Sequence, residues 1–218
     1  MAGLWVIEIF DSLQGEGFWT GVPMTFVRLA GCNAPALGLG CVRWCDTPAS
    51  WSPESGAELE PSEILDRVGL PRLCLTGGEP LLQAEAAKAL VVEAHRRGVR
   101  VHVETNGTLP PPGTESEAVF DWVVVSPKPP DYLIAPGWEG LIDELKLIVD
   151  EQLDAATAER LAARHAEVVV SIQPEWGSVP EDAGRGGKGS SIARAIGLVM
   201  EHPDWRLSLQ IHKYLGIR

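Results

Sequence analysis

The chain has 218 residues and a formal net charge of −12, from 30 acidic and 18 basic residues. This excess of negative charge argues against a general nucleic-acid-binding protein, which needs clustered positive charge for the phosphates. Four cysteines without a secretory signal indicate a reducing cytoplasm, and the apolar stretch around Leu4 to Phe10 is too short to span a bilayer. Because no Gly/Ser-rich or charged linker divides the sequence, we expect one domain over residues 1–218.

Strands and helices are predicted to alternate along the chain. In chain order, the apolar patterns predict strands at Val6–Phe10 and Met24–Ala30, a helix from Pro61, a strand at Arg72–Leu75, a helix at Leu82–Arg97, strands at Arg100–Val103, Trp122–Val125 and Glu144–Val149, a helix at Asp154–Ala166, a strand at Val168–Ile172, a helix at Ser191–Met200 and a strand at Arg206–Ile211. Continuous apolar strands between helices favour an α/β fold with a parallel sheet. Residues 108–118 are too rich in proline for a crossover helix, so we expect an incomplete, TIM-like barrel of mostly parallel strands.

Three cysteines lie close together in one loop. Cys32, Cys41 and Cys45 have the spacing Cys-x8-Cys-x3-Cys. Three thiolates are an odd number for a disulfide framework and one short of a closed zinc site. They suit a [4Fe–4S] cluster in which one iron stays open, because such clusters normally take four cysteines. Two alternatives stay open: inert thiols, and a zinc site completed by a histidine such as His102 or His212.

The neighbours of the cysteine loop favour the cluster. Trp44 precedes the last cysteine and can shield a cluster from water, and Asp46-Thr47 places hard oxygen groups beside soft sulfur. The fourth cysteine, Cys74, lies between leucines in a predicted buried strand and is interpreted as a core residue.

A second motif, Thr76-Gly77-Gly78-Glu79-Pro80, follows a predicted strand. Two glycines let the backbone approach a ligand closely, and Glu79 can accept hydrogen bonds from an ammonium group. The alternative is a tight strand-to-helix turn with Pro80 at the first helical position.

Together, these motifs resemble the radical S-adenosylmethionine (SAM) superfamily and, more narrowly, the 7-carboxy-7-deazaguanine synthase family. The resemblance runs from end to end through Ser12–Gly17, Phe26–Asn33, Trp44–Thr47, Thr76–Pro80, Glu104–Gly107, Val125–Lys128, Glu144–Lys146, Ile172–Pro174 and Gln210–Leu215. The superfamily's cysteine loop usually reads Cys-x3-Cys-x2-Cys. Both gaps are longer in this chain. We expect the longer gaps to affect the geometry of the loop more than the identity of its ligands.

The resemblance implies a radical SAM core and a defined reaction. The open iron would bind the amino and carboxylate groups of SAM, and one electron from the cluster would cleave SAM to methionine and a 5′-deoxyadenosyl radical. That radical would abstract hydrogen from C6 of 6-carboxy-5,6,7,8-tetrahydropterin. Ring contraction with loss of ammonia would then give 7-carboxy-7-deazaguanine, on the route to queuosine or another 7-deazapurine.

The resemblance also implies roles for individual residues. Thr47 would bind Mg²⁺, whose sites use few protein ligands. Residues expected to bind the cofactor are Trp44, Asp46, Gly78, Glu79, Glu104, Asn106, Ser126, Lys128, Gln173, Pro174 and Glu175. Residues expected to contact the substrate are Leu13, Gln14, Gly15, Glu16, Arg28, Thr76, His212 and the C-terminal Arg218.

Three of these expectations have structural alternatives. Gln14 could belong to a simple turn. Arg28 is a charge within an apolar strand and needs an anion, which is either the substrate carboxylate or a structural partner such as Glu8 or Glu16. The end of the chain could be a frayed tail.

The expected partners are a flavodoxin- or ferredoxin-type electron donor and a second copy of the chain in a homodimer, within the cytoplasm. Two rival functions belong to other classes. A glycyl-radical activating enzyme would act on a protein, and a zinc or redox module would have no catalytic activity.

Overall fold

The computed structural model describes residues 3–113, 119–165, 167–176 and 190–218. The strands are β1 (Leu4–Leu13), β2 (Pro23–Leu29), β3 (Ala57–Leu59), β4 (Arg72–Gly77), β5 (Arg100–Thr105), β6 (Trp122–Val125), β7 (Glu144–Val149), β8 (Val169–Pro174) and β9 (Arg206–Leu207). The α-helices are α1 (Pro61–Leu65), α2 (Ala84–Arg96), α3 (Ala155–Arg164), α4 (Ser191–Glu201) and α5 (Ile211–Leu215). Short 3₁₀ helices lie at Gly40–Arg43, Pro48–Trp51, Pro53–Ser55 and Pro80–Gln83.

The strands form one open sheet in the order β3-β1-β2-β4-β5-β6-β7-β8-β9. β1 pairs antiparallel with β2 and β3, whereas every pairing from β2 to β9 is parallel. The predicted α/β class and the incomplete barrel of mostly parallel strands are therefore confirmed. Parallel strands all point the same way, so the loops that follow β4 to β8 meet at one edge.

Helices form where the sequence gives an apolar stripe and a capping group. α2 buries Ala87, Leu90 and Val91, and the chain turns at Gly98, whose φ is +74°. α3 begins after Asp154, whose side chain accepts a hydrogen bond of 2.8 Å from the Thr157 amide. α4 is capped in the same way by a serine.

The core has two large parts. One packs α1 and α2 on β1, β2, β4 and β5, and includes Leu4, Leu73 and Leu90. The other packs α3 and α4 on β7 and β8, and includes Leu147 and Leu161. Each fully buried leucine contributes about 1.5–3 kcal/mol, so the two parts hold the strand ends in place. Within the described ranges, no helix has both the length and the apolar character needed to cross a bilayer.

Some predicted bounds were wrong. The last strand ends at Leu207, and Ile211 begins α5 instead of ending the strand. After Ser208, whose amide still bonds to the Ile172 carbonyl, the chain turns, and the Ile211 amide donates to the Gly15 carbonyl at 2.9 Å. The short edge strand β3 was not predicted. The end of the predicted helix at Ala166 and the part of the proline-rich segment at 114–118 lie outside the described residues.

Candidate active site

A cavity of about 280 Å³ opens at the carboxyl ends of the parallel strands. The three loop cysteines and every predicted cofactor- or substrate-binding residue except Glu79 line it. The structure thus brings together Leu13, Gln14, Gly15, Glu16, Arg28, Cys32, Cys41, Trp44, Cys45, Asp46, Thr47, Thr76, Gly78, Glu104, Asn106, Ser126, Lys128, Gln173, Pro174, Glu175, His212 and Arg218. Lining residues that the sequence did not single out include Phe10, Ser50, Thr105, Lys146, Gln210 and Lys213.

The loop cysteines are partly enclosed in an apolar environment. Cys41 is buried, and it packs with Cys32 and Trp44 in a small hydrophobic cluster. Burial raises the pKa of the Cys32 thiol to about 11, with added repulsion from Glu79 and the other two cysteines. A thiolate is unfavourable there unless positive charge compensates it, which iron ions do. These thiols therefore fit a cluster site. Cys74 lies elsewhere, fully buried against Met24 and Phe26.

The long cysteine loop is anchored to the ends of two strands. The Gly40 amide donates to the Pro129 carbonyl at 2.7 Å, after β6. The Trp44 indole donates to the Asp150 carboxylate at 3.2 Å, after β7, and its ring lies 5.5 Å from the Lys128 ammonium. The extra residues of the loop therefore dock on neighbouring loops, and they leave the three cysteines facing the cavity.

The two histidines considered as zinc ligands lie in different places. His102 is buried in β5, its ring 5.2 Å from that of Trp19 and 6.5 Å from that of Trp122, and it does not line the cavity. It cannot complete a site with the loop cysteines. His212 does line the cavity, close to Gly15: a Cβ at Gly15 would lie 2.0 Å from Nδ1 of His212. Among the described residues, no three His, Cys, Asp or Glu side chains are grouped to hold a single metal ion.

The Gly-Gly-Glu motif packs against the start of the cysteine loop. A Cβ at Gly78 would lie 1.9 Å from the Gly31 carbonyl oxygen, so only glycine fits there. Glu79 is fully buried beneath the cavity instead of lining it. Its carboxylate accepts hydrogen bonds from Thr105 Oγ1 at 2.7 Å and from the amides of Asn106 and Leu81 at 2.7 and 3.0 Å. Burial raises the pKa of Glu79 despite these donors.

Two groups of charged side chains lie at the cavity. In the first, Arg28 Nε donates to Glu8 Oε1 at 2.8 Å, which is the structural pair considered above. Glu8 also pairs with the guanidinium of Arg218 at 3.3 Å, and Ser12 donates to the Arg218 carbonyl. The end of the chain is therefore held at the cavity. In the second, Glu16 and Glu104 both approach the buried ammonium of Lys146.

The position of Lys146 in the sequence indicates that its charge needs a partner. Lys146 lies between Leu145 and Leu147 in a strand whose residues are all buried. A charge inside an apolar strand needs a partner, by the same argument that marked Arg28. The partner, Glu16, lies 130 residues away, so its identity requires the fold.

Comparison with known proteins decides the family. No family model matches the chain. A 7-carboxy-7-deazaguanine synthase from Bacteroides thetaiotaomicron is 37% identical over 216 residues, which are 97% of this chain and 97% of that protein. The synthase from Bradyrhizobium diazoefficiens is 37% identical over 98% of both chains. The chain belongs to the 7-carboxy-7-deazaguanine synthase family.

Membership of the 7-carboxy-7-deazaguanine synthase family is supported by structure as well. A crystal structure of QueE from Escherichia coli superposes with a TM-score of 0.73 and 25% identity, over 94% of this chain and 93% of that one. These relatives confirm the predicted activity of a 7-carboxy-7-deazaguanine synthase. Membership of that family implies a radical SAM enzyme that uses SAM and an iron–sulfur cluster. The relatives also confirm that the chain acts on a small molecule.

Proposed function

We propose that this chain converts 6-carboxy-5,6,7,8-tetrahydropterin to 7-carboxy-7-deazaguanine, with loss of ammonia, for queuosine or another 7-deazapurine. One observation carries this proposal: a single cavity is lined by the three loop cysteines and by all but one of the predicted cofactor- and substrate-binding residues. Its volume of about 280 Å³ lies just below the range of small-molecule sites, which runs from about 300 to 1,000 Å³.

The cofactor end of the cavity would be formed by the cysteine loop and the strand ends beside it. Cys32, Cys41 and Cys45 would bind the cluster, and when bound, the reduced cluster and SAM supply the radical chemistry. Trp44 would shield this end from water. The remaining groups assigned to SAM are Asp46, Gly78, Asn106, Ser126, Lys128, Gln173, Pro174 and Glu175. Glu104 was also expected at this end, but its carboxylate bonds to the substrate residues Gln14 and Thr76, so it is assigned to the substrate.

Glu79 would act differently from the direct contact first predicted. Three donors already bond to its carboxylate, from the loops after β4 and β5. It would hold these two loops together, and so fix Gly78 and Asn106 for the methionine end of SAM.

The substrate end would be formed by Leu13, Gln14, Gly15, Glu16, Arg28, Thr76, His212 and Arg218. The Arg28 guanidinium lines the cavity and would attract the substrate carboxylate. Glu16 and Glu104 are acceptors and would bind the N–H groups of the pterin. This arrangement would orient C6 toward the cofactor end.

The magnesium site, the electron donor, the domain organisation, the oligomeric state and the compartment are also proposals. Thr47 would supply one oxygen to Mg²⁺; its hydroxyl lies 3.8 Å from the Cys45 sulfur. The electron would come from a flavodoxin- or ferredoxin-type protein. The chain would act as a single radical SAM domain, in a homodimer, in the cytoplasm.

Anaerobic reconstitution tests the proposed function. The purified chain is loaded with iron and sulfide, then incubated with SAM, dithionite and carboxytetrahydropterin, and the products are separated by mass. We expect 7-carboxy-7-deazaguanine from the wild type and none from a Cys45→Ala variant. A loaded enzyme that cleaves SAM but leaves the pterin unchanged would overturn the proposed substrate.

A further inference from the structure

Lys146 is a buried cation in the wall of the cavity. It lies in β7, and its side chain is 7% exposed. The ammonium is 2.5 Å from Glu16 Oε2 and 3.6 Å from Glu104 Oε2. Two carboxylates thus share one ammonium, and this group of three charges carries a net charge of −1.

The side chains of Gln14 and Gln210 hold the two carboxylates of this group by further hydrogen bonds. Glu16 Oε1 accepts from Gln210 Nε2 at 2.6 Å, and Glu104 Oε1 accepts from Gln14 Nε2 at 3.1 Å. The Glu16 amide in turn donates to Gln14 Oε1 at 3.1 Å. The result is a closed network through Gln14, Glu16, Lys146 and Glu104, and each member lines the cavity.

We propose that Lys146 is a positioning residue, which fixes Glu16 and Glu104 as paired acceptors for the N–H donors on one edge of the pterin. This inference rests on the proposed function. An aminopyrimidinone edge presents adjacent N–H donors, and two ionised carboxylates side by side match them. Without a cation between them, the two carboxylates would repel each other and separate.

The charge of Lys146 also keeps Glu16 ionised. Burial alone would raise the pKa of Glu16, but the charge and hydrogen bond of Lys146, with Gln210 and nearby His212, lower it to about 2. The pKa of Lys146 is raised, because Glu104, Glu16 and Glu144 outweigh its burial. The two shifts have the directions expected of an ion pair, with Lys146 protonated beside an ionised Glu16.

Substrate affinity tests the inference without turnover. Binding of 6-carboxypterin, the oxidised analogue, to reconstituted enzyme is measured by titration calorimetry. The K146M variant is expected to bind about 100-fold more weakly than the wild type, since it leaves the acceptors without their cation. K146R keeps the charge and is expected to bind the analogue at least tenfold more tightly than K146M does. K88M, on α2 and outside the cavity, is the matched control and should bind as the wild type does.

A double variant separates positioning from general damage to the fold. Because Lys146 acts through Glu16, K146M is expected to cost less than tenfold in affinity when E16Q is already present. Equal losses in both backgrounds, or K146M binding as tightly as wild type, would overturn the inference. K146R binding as weakly as K146M would also overturn it, since charge would then not matter. A wild-type enzyme that binds no carboxypterin would instead overturn the proposed function.

Discussion

Lys213 Nζ lies 2.7 Å from Asp46 Oδ2, and so connects the C-terminal helix α5 to the cysteine loop. Asp46 stands between Cys45 and Thr47, the proposed ligands of the cluster and of Mg²⁺. The same helix begins with the bond from the Ile211 amide to the Gly15 carbonyl. The last eight residues of the chain therefore contact both the cysteine loop and the loop after β1.

The cluster assignment predicts which cysteines retain iron. Alanine at Cys32, Cys41 or Cys45 should reduce the iron bound after anaerobic reconstitution, and the absorbance near 400 nm, because each removes a ligand. Cys74→Ala is the control: that thiol is in the core, and iron content should be unchanged. Full iron in Cys45→Ala, or loss of iron in Cys74→Ala alone, would contradict the assignment.

Magnesium dependence should be weakened by a change at Thr47. Mg²⁺ is expected to raise turnover, and Thr47→Ala should reduce that activation while iron content stays at the wild-type level. Thr47→Ser keeps the hydroxyl and should retain activation. Turnover measured against Mg²⁺ concentration checks this, and unchanged activation in Thr47→Ala would mean that another group holds the ion.

A tag added after Arg218 should weaken substrate binding. Arg218 is held by Ser12 and by Glu8, so a short C-terminal tag would displace it from the cavity. We expect the tag to raise the KM for the pterin and to leave cluster content and uncoupled SAM cleavage intact. The comparison is with an N-terminal tag, and equal KM values for the two tagged forms would show that the tail is not part of the pocket.

A side chain added at Gly17 should destabilise the fold, through the backbone conformation and through a clash with Glu144. Its φ is +67°, and a Cβ would lie 2.4 Å from the Glu144 carboxylate, which accepts the Phe18 amide at 3.1 Å. Gly17→Ala is expected to lower the free energy of unfolding by about 2–4 kcal/mol, from backbone strain and displacement of a buried carboxylate.

Gly21 is the matched control for Gly17. Its φ is +86°, and nothing lies within 4 Å of an added Cβ. Gly21→Ala should therefore lose only the cost of the backbone conformation, about 1–2 kcal/mol. Urea denaturation gives both values, and equal losses would mean that the contact with Glu144 has no energetic effect.

Stability should fall in mild acid partly because of His102. Burial lowers the pKa of His102 to about 4, with a smaller effect from Arg72. The unfolded chain therefore takes up a proton near pH 6.5, before the folded protein does, and stability is lost as the pH falls below that value. Between about pH 7.5 and pH 5, His102 alone is expected to lower the free energy of unfolding by about 2 kcal/mol. His102→Phe should lose less stability over this range than the wild type, and equal losses in the two proteins would contradict the assignment.

Much of the site could be predicted from sequence because its motifs are local. The cysteine loop and the Gly-Gly-Glu turn each lie within one segment, and strand alternation places their ends at one edge. What could not be predicted depends on distant pairs. Glu16 meets Lys146 only because the β1–β2 loop crosses to β7. Likewise, the burial of Glu79 depends on the loop after the neighbouring strand, which no pattern in its own segment reveals.

The secondary structure near the end of the chain also depends on a distant contact, so the local sequence does not predict it. The strand predicted at Arg206–Ile211 ends at Leu207, and Ile211 begins a helix of five residues. A helix this short has too few turns to show a period, and its start is set by the bond to Gly15 across the cavity.

One isotope measurement tests directly whether a single cavity places C6 of the pterin beside the cofactor. The reconstituted enzyme is given carboxytetrahydropterin that carries deuterium at C6, with unlabelled SAM. We expect the deuterium to appear at the 5′ carbon of 5′-deoxyadenosine or of recovered SAM, while 7-carboxy-7-deazaguanine accumulates. Product that forms without any transfer of deuterium to the cofactor would contradict this placement.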